Sequence, residues 1–111
     1  VNNYRIWKEK LEGIRIMKVE ILKKYIVEEG TDWHGGIYTK YQFPNGYGAS
    51  IIKNSVSYGG KSGLYELAVL NKDGKIIYDT PITDDVLGYL TLLDVTKHLK
   101  EVKNLAPKLV S

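Results

Sequence analysis

Three aspartates and two threonines are concentrated in one short stretch of the chain. They are Asp79, Thr80, Thr83, Asp84 and Asp85. Carboxylates and hydroxyls together could hold a hard cation such as magnesium, or serve as acid and base in catalysis. The alternative is a polar turn after Pro81, followed by a helix that Thr83 and the two neighbouring acids cap. We favour the structural interpretation, because nothing in the sequence points to the phosphates or further carboxylates that a magnesium site would need.

A glycine-rich stretch resembles a phosphate-binding loop at first sight. It reads Ser57-Tyr58-Gly59-Gly60-Lys61-Ser62-Gly63. The glycine spacing before Gly-Lys-Ser is not that of a P-loop, and a strand rather than a helix is predicted to follow. We therefore expect a hairpin loop. It is either a flexible connection or a binding loop in which Tyr58 and Lys61 contact a partner.

The remaining candidates for chemistry show weaker patterns. His34 and His98 have no metal ligand four residues away and no partner at the spacing of a catalytic triad. Trp7 and Trp33 could be contacts, but a tryptophan in a small domain is usually part of the core. The absence of cysteine excludes disulfides, thiolate metal sites and thiol catalysis. We predict no catalytic residue, no metal and no cofactor, and therefore a binding protein rather than an enzyme.

Tyrosine dominates the aromatic residues, with nine tyrosines against one phenylalanine and two tryptophans. Tyrosine suits interfaces, because it offers a large apolar area with a polar tip, although half-buried strands favour it as well. The formal charge of +3 is mild, whereas a polyanion binder usually has a clearer basic excess. A nucleic-acid-binding sheet face made of Tyr38, Lys40, Tyr47 and Lys53 remains an open alternative.

The length of 111 residues is enough for one domain with one core. No apolar run approaches the ~20 residues that span a bilayer, and the chain does not begin with a signal pattern. We expect no membrane association and a cytoplasmic location. A Leu-Glu-Gly tripeptide shortly before Met17 is what an in-frame ribosome-binding site would encode. We therefore interpret residues 1–16 as an N-terminal extension upstream of the true start, and residues 17–111 as a single α+β domain.

Alternating apolar and polar residues predict short strands through most of the chain. After a short helix at 4–12, the predicted strands are 14–21, 24–28, 37–43, 48–53, 64–71 and 76–82. Pro44-Asn45-Gly46-Tyr47 and Lys72-Asp73-Gly74-Lys75 are typical of tight hairpin turns. Consecutive strands with short connections predict an antiparallel meander of four or five strands. Because edge strands can pair between chains, a homodimer is a further expectation.

The C-terminal third has the pattern of helices. A helix of one or two turns is predicted at 86–90, and a longer amphipathic helix from about Thr91 to Ala106. Thr91 and Asp94 have the spacing of a capping box, and Pro107 ends the helix. The sequence thus predicts an α+β fold in which this helix covers one face of the sheet.

Four segments of the chain carry a family resemblance: residues 41–52 (YQFPNGYGASII), 57–60 (SYGG), 63–70 (GLYELAVL) and 78–90 (YDTPITDDVLGYL). Through them the chain, from about Tyr41 to Leu105, resembles a widespread family of small uncharacterised proteins encoded by tailed phages and prophages. Residues 1–16 have no counterpart in it. The resemblance implies a setting, the cytoplasm of a bacterial host, and implies no mechanism.

These observations favour a small phage or prophage accessory protein that binds a host or phage macromolecule, most naturally a protein, and so inhibits a host process or defence system. One alternative is an oligomeric sponge for a nucleotide-type signal, which would need a basic cleft containing Tyr58 and Lys61. Another is a nucleic-acid-binding protein, and an enzyme acting through Asp79, Asp84 and Asp85 comes last. The candidate binding residues are Tyr58, Lys61, Tyr47, Asp79, Asp84 and Asp85.

Overall fold

The fold is a five-stranded antiparallel sheet with an α-helix packed on one face. The structure, a computed structural model, describes residues 22–32 and 35–107. The elements are β1 (Ile26–Thr31), β2 (Ile37–Gln42), β3 (Gly48–Lys53), β4 (Tyr65–Leu70), β5 (Leu87–Leu90) and α1 (Leu92–Lys103). The strands lie in the sheet in chain order. The predicted α+β class, an antiparallel meander packed by a C-terminal helix, is confirmed.

The turn between β2 and β3 sets the register of the central hairpin. Phe43 N donates to Tyr47 O at 2.8 Å, and Gly46 N donates to Phe43 O at 3.1 Å. The two strands then pair without interruption from Gln42 opposite Gly48 to Ile37 opposite Lys53. The predicted strand at 48–53 is confirmed in full, and the strand at 37–43 is one residue shorter than predicted.

The core lies between the sheet and α1, which packs on β3, β4 and β5. The helix contributes the predicted stripe of Val95, Leu99 and Val102. From the sheet side the buried residues are Tyr41, Phe43, Ala49, Ile51, Leu67, Val69 and Leu90. Full burial of each large apolar side chain contributes about 1.5–3 kcal/mol. Ile37 lies on the same face at the start of β2 and keeps 42% of its surface exposed.

An aromatic group closes the core beside the end of α1. The Tyr25 ring meets Phe43 edge-on with centroids 5.3 Å apart, and Tyr41 stacks on Phe43 at 6.1 Å. Lys103 Nζ lies 5.6 Å from the centroid of Tyr25. Tyr25 belongs to a 3-10 turn at Lys23–Tyr25, so the first strand begins at Ile26. The prediction of a strand at 24–28 is therefore wrong at its start and too short at its end.

The prediction of a continuous strand at 76–82 is wrong. Ile76 forms an isolated bridge with Leu70, and Ile77 N donates to Val69 O at 2.9 Å. The chain then leaves the sheet and returns with Leu87 opposite Leu67. We call residues 78–86 the excursion, since they interrupt what would otherwise be one edge strand. Pro81 has no N–H for a ladder, and Asp85 N donates to Thr83 Oγ1 at 3.1 Å in a local turn.

The predicted short helix at 86–90 is wrong as well, because Leu87–Leu90 forms β5. Gly88 weakens a helix by about 1 kcal/mol relative to alanine, and a helix of one or two turns has too few internal hydrogen bonds to offset its nucleation. The edge of β4 offers ladder partners instead, with Tyr65 opposite Leu90. Tertiary pairing therefore decides the conformation of this segment.

Both edges of the described sheet carry features that oppose the addition of another strand. Glu28 and Glu29 are exposed on β1, which has an irregular register between Ile26 and Glu28. β5 is only four residues long and is also irregular. Charges, bulges and short strands are common protections of sheet edges. The predicted homodimer stays a prediction, and its proposed route through edge pairing is not favoured by these features.

The predicted helix at 4–12, the strand at 14–21 and the extension 1–16 lie outside the described residues, as do Trp33 and His34. Among the described residues, no helix is long and apolar enough to cross a bilayer.

The two ends of α1 are fixed in different ways. At its N-terminus the predicted capping box is confirmed, with Asp94 N donating to Thr91 Oγ1 at 3.1 Å and Thr91 N donating to Asp94 Oδ2 at 3.0 Å. At its C-terminus the amide of Asn45 donates to the carbonyls of Val102, Lys103 and Leu105 at 2.8, 2.9 and 3.0 Å. Asn45 Oδ1 also accepts from Tyr47 N at 3.1 Å. One turn residue thus joins the sheet to the helix end.

Replacement of Asn45 should destabilise the fold through the loss of these donors. We expect Asn45→Ala to lower the free energy of unfolding by about 1–3 kcal/mol, because the carbonyls at this end of α1 lose the side-chain donor that binds them. Asn45→Asp keeps the acceptor for Tyr47 N but cannot donate, and it places a negative charge at the helix C-terminus. It should therefore be at least as destabilising as alanine. Urea unfolding of both variants measures this, and an Asp variant with wild-type stability would contradict it.

The contribution of the Asp94 charge to stability should depend on pH. Hydrogen bonds to Thr91 hold the pKa of Asp94 below its ordinary value of 3.8. A carboxyl whose folded pKa is lowered stabilises the fold above its unfolded pKa, and this contribution is lost as the pH falls through the folded pKa. The difference in unfolding free energy between wild type and Asp94→Asn should shrink as the pH falls below about 4. A difference that grows at low pH would contradict this.

Candidate functional site

The loop between β3 and β4 has a defined local structure. Asn54 Oδ1 accepts from Val56 N and Ser57 N at 2.9 and 2.8 Å. Ser57 Oγ in turn accepts from Asn54 N at 2.9 Å and donates to Asn54 O at 3.1 Å. These bonds close the first part of the loop on itself. The Tyr58 backbone therefore leaves the turn in a fixed direction.

Asp32 connects this loop to the turn between β1 and β2. Its Oδ2 accepts from Asn54 Nδ2 at 2.9 Å, and its Oδ1 accepts from Gly36 N at 3.0 Å. The two connections lie at the same end of the sheet, because β1 and β3 both end there. We call this the loop end. The turn that carries Asn45 lies at the opposite end of the sheet. We call the hydrogen bonds from Asn45 to the end of α1 the clamp, and the length of the strands separates it from the β3–β4 loop.

At the loop end the backbones of Tyr58 and Tyr89 are in direct contact. Tyr89 N donates to Tyr58 O at 3.1 Å, and Tyr58 N donates to the carboxylate of Glu66 at 3.1 Å. Two glycines allow this approach. A Cβ on Gly88 would lie 2.5 Å from the Cβ of Tyr58, and one on Gly59 would lie 2.8 Å from the Cα of Tyr89.

Both tyrosine side chains point to solvent, with 59% of Tyr58 and 64% of Tyr89 exposed. Tyr89 is also the one non-glycine residue of the described segments with a positive φ, at +55°. This conformation costs an L-residue roughly 1–2 kcal/mol. The exposed Tyr89 ring has little packing to offset this cost. Strained residues of this kind cluster at active sites, ligand clamps and switch regions. We call Tyr58 and Tyr89 the tyrosine surface.

Tyr89 was missed by the sequence analysis, which places it in a short helix. Asp84 and Asp85 are typical of a helix start, but Gly88 disfavours a helix, and a glycine within a strand often marks the close approach of another backbone. That signal could have identified the strand. It could not have identified the contact with Tyr58, because that contact joins distant parts of the chain.

The other sequence candidates do not form one site. Lys61 is exposed in the 3-10 turn Gly60–Ser62, close in sequence to Tyr58. Tyr47 is only 8% exposed and belongs to the core, so its predicted role as a surface contact is wrong. Its ring is buried because the turn before β3 folds under the end of α1.

Asp79, Asp84 and Asp85 are exposed and lie in the excursion. Within residues 22–32 and 35–107, no three histidine, cysteine or acidic residues are grouped so that they could hold a metal ion. The favoured interpretation as a helix cap is wrong too, because the residues that follow form a strand. Thr83 and Asp85 instead form the local turn described above.

The predicted nucleic-acid platform on the sheet is not assembled. Tyr38 and Lys40 lie on the face opposite α1, where Lys40 Nζ is 3.4 Å from Glu28 Oε2. Ser50 and Ile52 point to the face opposite α1, so Lys53 points to the helix face. There its Nζ lies 4.9 Å from the ring centroid of Tyr65. With Tyr47 buried in the core, the four residues do not share an exposed face.

The nucleotide sponge predicts a basic cleft that contains Tyr58 and Lys61. The depression that the described residues outline, of about 360 Å³, lies on α1 and is lined by Leu93, Asp94, Thr96, Lys97 and Lys100. That lining contains no aromatic ring for a base to stack on. His98 lies on the same helix, with its Nδ1 3.0 Å from the carboxylate of Glu101.

Comparison of the chain with protein-family models, curated proteins and solved structures found no match. The resemblance to tailed-phage proteins therefore stays a prediction.

Because Tyr89 has a positive φ, a glycine at position 89 should give a more stable protein than an alanine, which is the reverse of the usual order in a strand. Ordinarily glycine in a strand is less stable than alanine by about 0.5–1 kcal/mol. At φ +55° alanine and tyrosine both bear the conformational cost of a residue with a Cβ, and glycine does not. We expect Tyr89→Gly to be more stable than Tyr89→Ala by about 1 kcal/mol. Thermal and urea unfolding measure the difference, and an alanine variant more stable than the glycine variant would contradict the strained conformation.

Proposed function

We propose that this protein binds a macromolecular partner through the tyrosine surface, and that it is a small phage or prophage accessory protein whose binding inhibits a host process or defence system. The observation that carries the proposal is the direct backbone contact between two exposed tyrosines, one of them in a strained conformation. The phage setting comes from the sequence resemblance alone.

The tyrosine surface supports binding because its backbone is preorganised, that is, ordered before any partner binds. Ordering a loop or a flexible side chain on binding costs roughly 0.5–1.5 kcal/mol for each group immobilised. Here the Tyr58 O to Tyr89 N bond and the Asn54–Ser57 bonds already fix the backbone. Tyrosine adds a large contact area with only two side-chain torsions, which is why it is frequent in binding loops.

The distribution of tyrosines between core and surface supports the same interpretation. Tyr41 and Tyr47 are buried in the core and need no functional explanation. Tyr58, Tyr78 and Tyr89 are each more than half exposed. The backbones of two of these three, Tyr58 and Tyr89, meet at the loop end. Burial in the core of the sheet therefore accounts for only part of the high tyrosine content.

A tagged pull-down from host lysate, with and without infection, tests the proposal. The double variant Tyr58→Ser, Tyr89→Asn removes both rings, and asparagine tolerates the left-handed backbone. Tyr78→Ser is the matched control, because Tyr78 is similarly exposed but lies beyond the bridge to Leu70. We expect the double variant to retain at most a tenth of the partner captured by wild type, since central aromatic contacts typically contribute 2 kcal/mol or more.

The control should capture the partner as wild type does, and circular dichroism should show that all three proteins are folded. A partner that the folded double variant retains in full would reject the tyrosine surface as the binding site. Recovery of nucleic acid or a nucleotide in place of a protein would favour one of the alternatives.

A further inference from the structure

The charge of the chain is unevenly distributed around the tyrosine surface. The whole chain carries a formal charge of +3, yet the 21 residues from Ile76 to Thr96 contain four aspartates and no lysine, arginine or histidine. This stretch forms the excursion, β5 and the first turn of α1. The edge of the sheet that bears Tyr89 is therefore acidic in a protein that is basic overall.

Two of the acids lie close to the tyrosine surface. Asp84 and Asp85 are exposed, and Asp85 is three residues from Gly88, which packs against Tyr58. Three residues span at most about 11 Å, so the Asp85 backbone lies within that distance of the contact. Glu66 accepts the Tyr58 amide hydrogen and adds a third carboxylate directly at the surface. The nearby cations are Lys61 in the loop and Lys53, whose Nζ lies over the ring of Tyr65 opposite Leu90. Three carboxylates and two ammonium groups leave this region with a net charge of −1.

We infer that the partner bound by the tyrosine surface is a protein with an arginine- and lysine-rich face. Guanidinium and ammonium groups are attracted to the faces of tyrosine rings, and arginine pairs with a carboxylate through two hydrogen bonds. An exposed tyrosine pair bordered by carboxylates offers both interactions at once. A nucleic acid or nucleotide would instead bring its phosphates against Asp84, Asp85 and Glu66. The inference rests on the proposed function, because it describes the partner of the same surface.

A peptide of nine arginines with a fluorescent label is the probe for this inference. The full chain is positive, so attraction to net charge alone does not predict binding of such a peptide. We expect wild type to bind it measurably at about 0.01 M salt and more weakly at about 0.15 M, as the screening length falls from ~30 to ~8 Å. Asp84→Asn, Asp85→Asn should weaken binding roughly fivefold or more at the lower salt.

The matched control is Glu29→Gln, Asp73→Asn, which removes two exposed acids on β1 and on the turn after β4. It should bind the peptide within about twofold of wild type, since its changes lie away from the tyrosine surface. Equal weakening in the test and control variants would show a net-charge effect and overturn the inference. Tighter binding of a labelled single-stranded oligonucleotide than of the peptide would overturn it as well.

The failure of this inference is distinguishable from the failure of the proposed function. If the Tyr58→Ser, Tyr89→Asn variant loses its captured partner but the Asp84→Asn, Asp85→Asn variant does not, the surface binds a partner whose face is not cationic. If the tyrosine variant keeps the partner, the proposed site itself is wrong. Loss of the partner in both variants, with the control unaffected, supports both statements.

Discussion

The hydrogen bonds from the Asn45 amide to the last carbonyls of α1 are the interaction on which the arrangement of helix and sheet depends. The final carbonyls of any helix have no partner within it, and here the β2–β3 turn supplies donors for three carbonyl groups at this end. The same side chain accepts from Tyr47 N and so defines the turn. Because the helix end is fixed at the turn, its apolar stripe lies over β3, β4 and β5, and Thr91 reaches the opposite end of the sheet where β5 ends.

This arrangement leaves the loop end available for another purpose. The core and the clamp occupy the middle and one end of the sheet, while the Asn54, Ser57 and Asp32 bonds organise the other end. The tyrosine surface is built on these polar bonds and on a glycine at each contact point, and not on apolar packing. Tyr89 keeps its positive φ at a point where its N–H bonds to Tyr58 O and where Gly59 leaves room for its backbone.

The sequence predicted the parts of the fold that are specified locally. Alternation and the Pro44-Asn45-Gly46 turn gave the β2–β3 hairpin almost to the residue, and the spacing of Thr91 and Asp94 gave the start of α1. The segment from Ile76 to Leu90 was predicted wrongly, because its conformation is decided by the exposed edge of β4 and by a turn at Thr83. Of the tyrosine surface, Tyr58 was found from the loop composition. Tyr89 was not, because its positive φ and its contact with Tyr58 depend on the folded sheet.

The interruption of the edge strand has a consequence for local unfolding. β5 has only four residues, is connected to the bridge at Ile76 by the long excursion, and pairs with β4 alone. We therefore expect the amide hydrogens of β5 to exchange through local opening sooner than those of the longer strands β2, β3 and β4. Each such opening separates Tyr89 from Tyr58 and dissolves the tyrosine surface while the rest of the sheet remains intact. A bound partner that needs both rings would keep β5 paired with β4. Amide hydrogen exchange in β5 would then be slower in the complex than in the free protein.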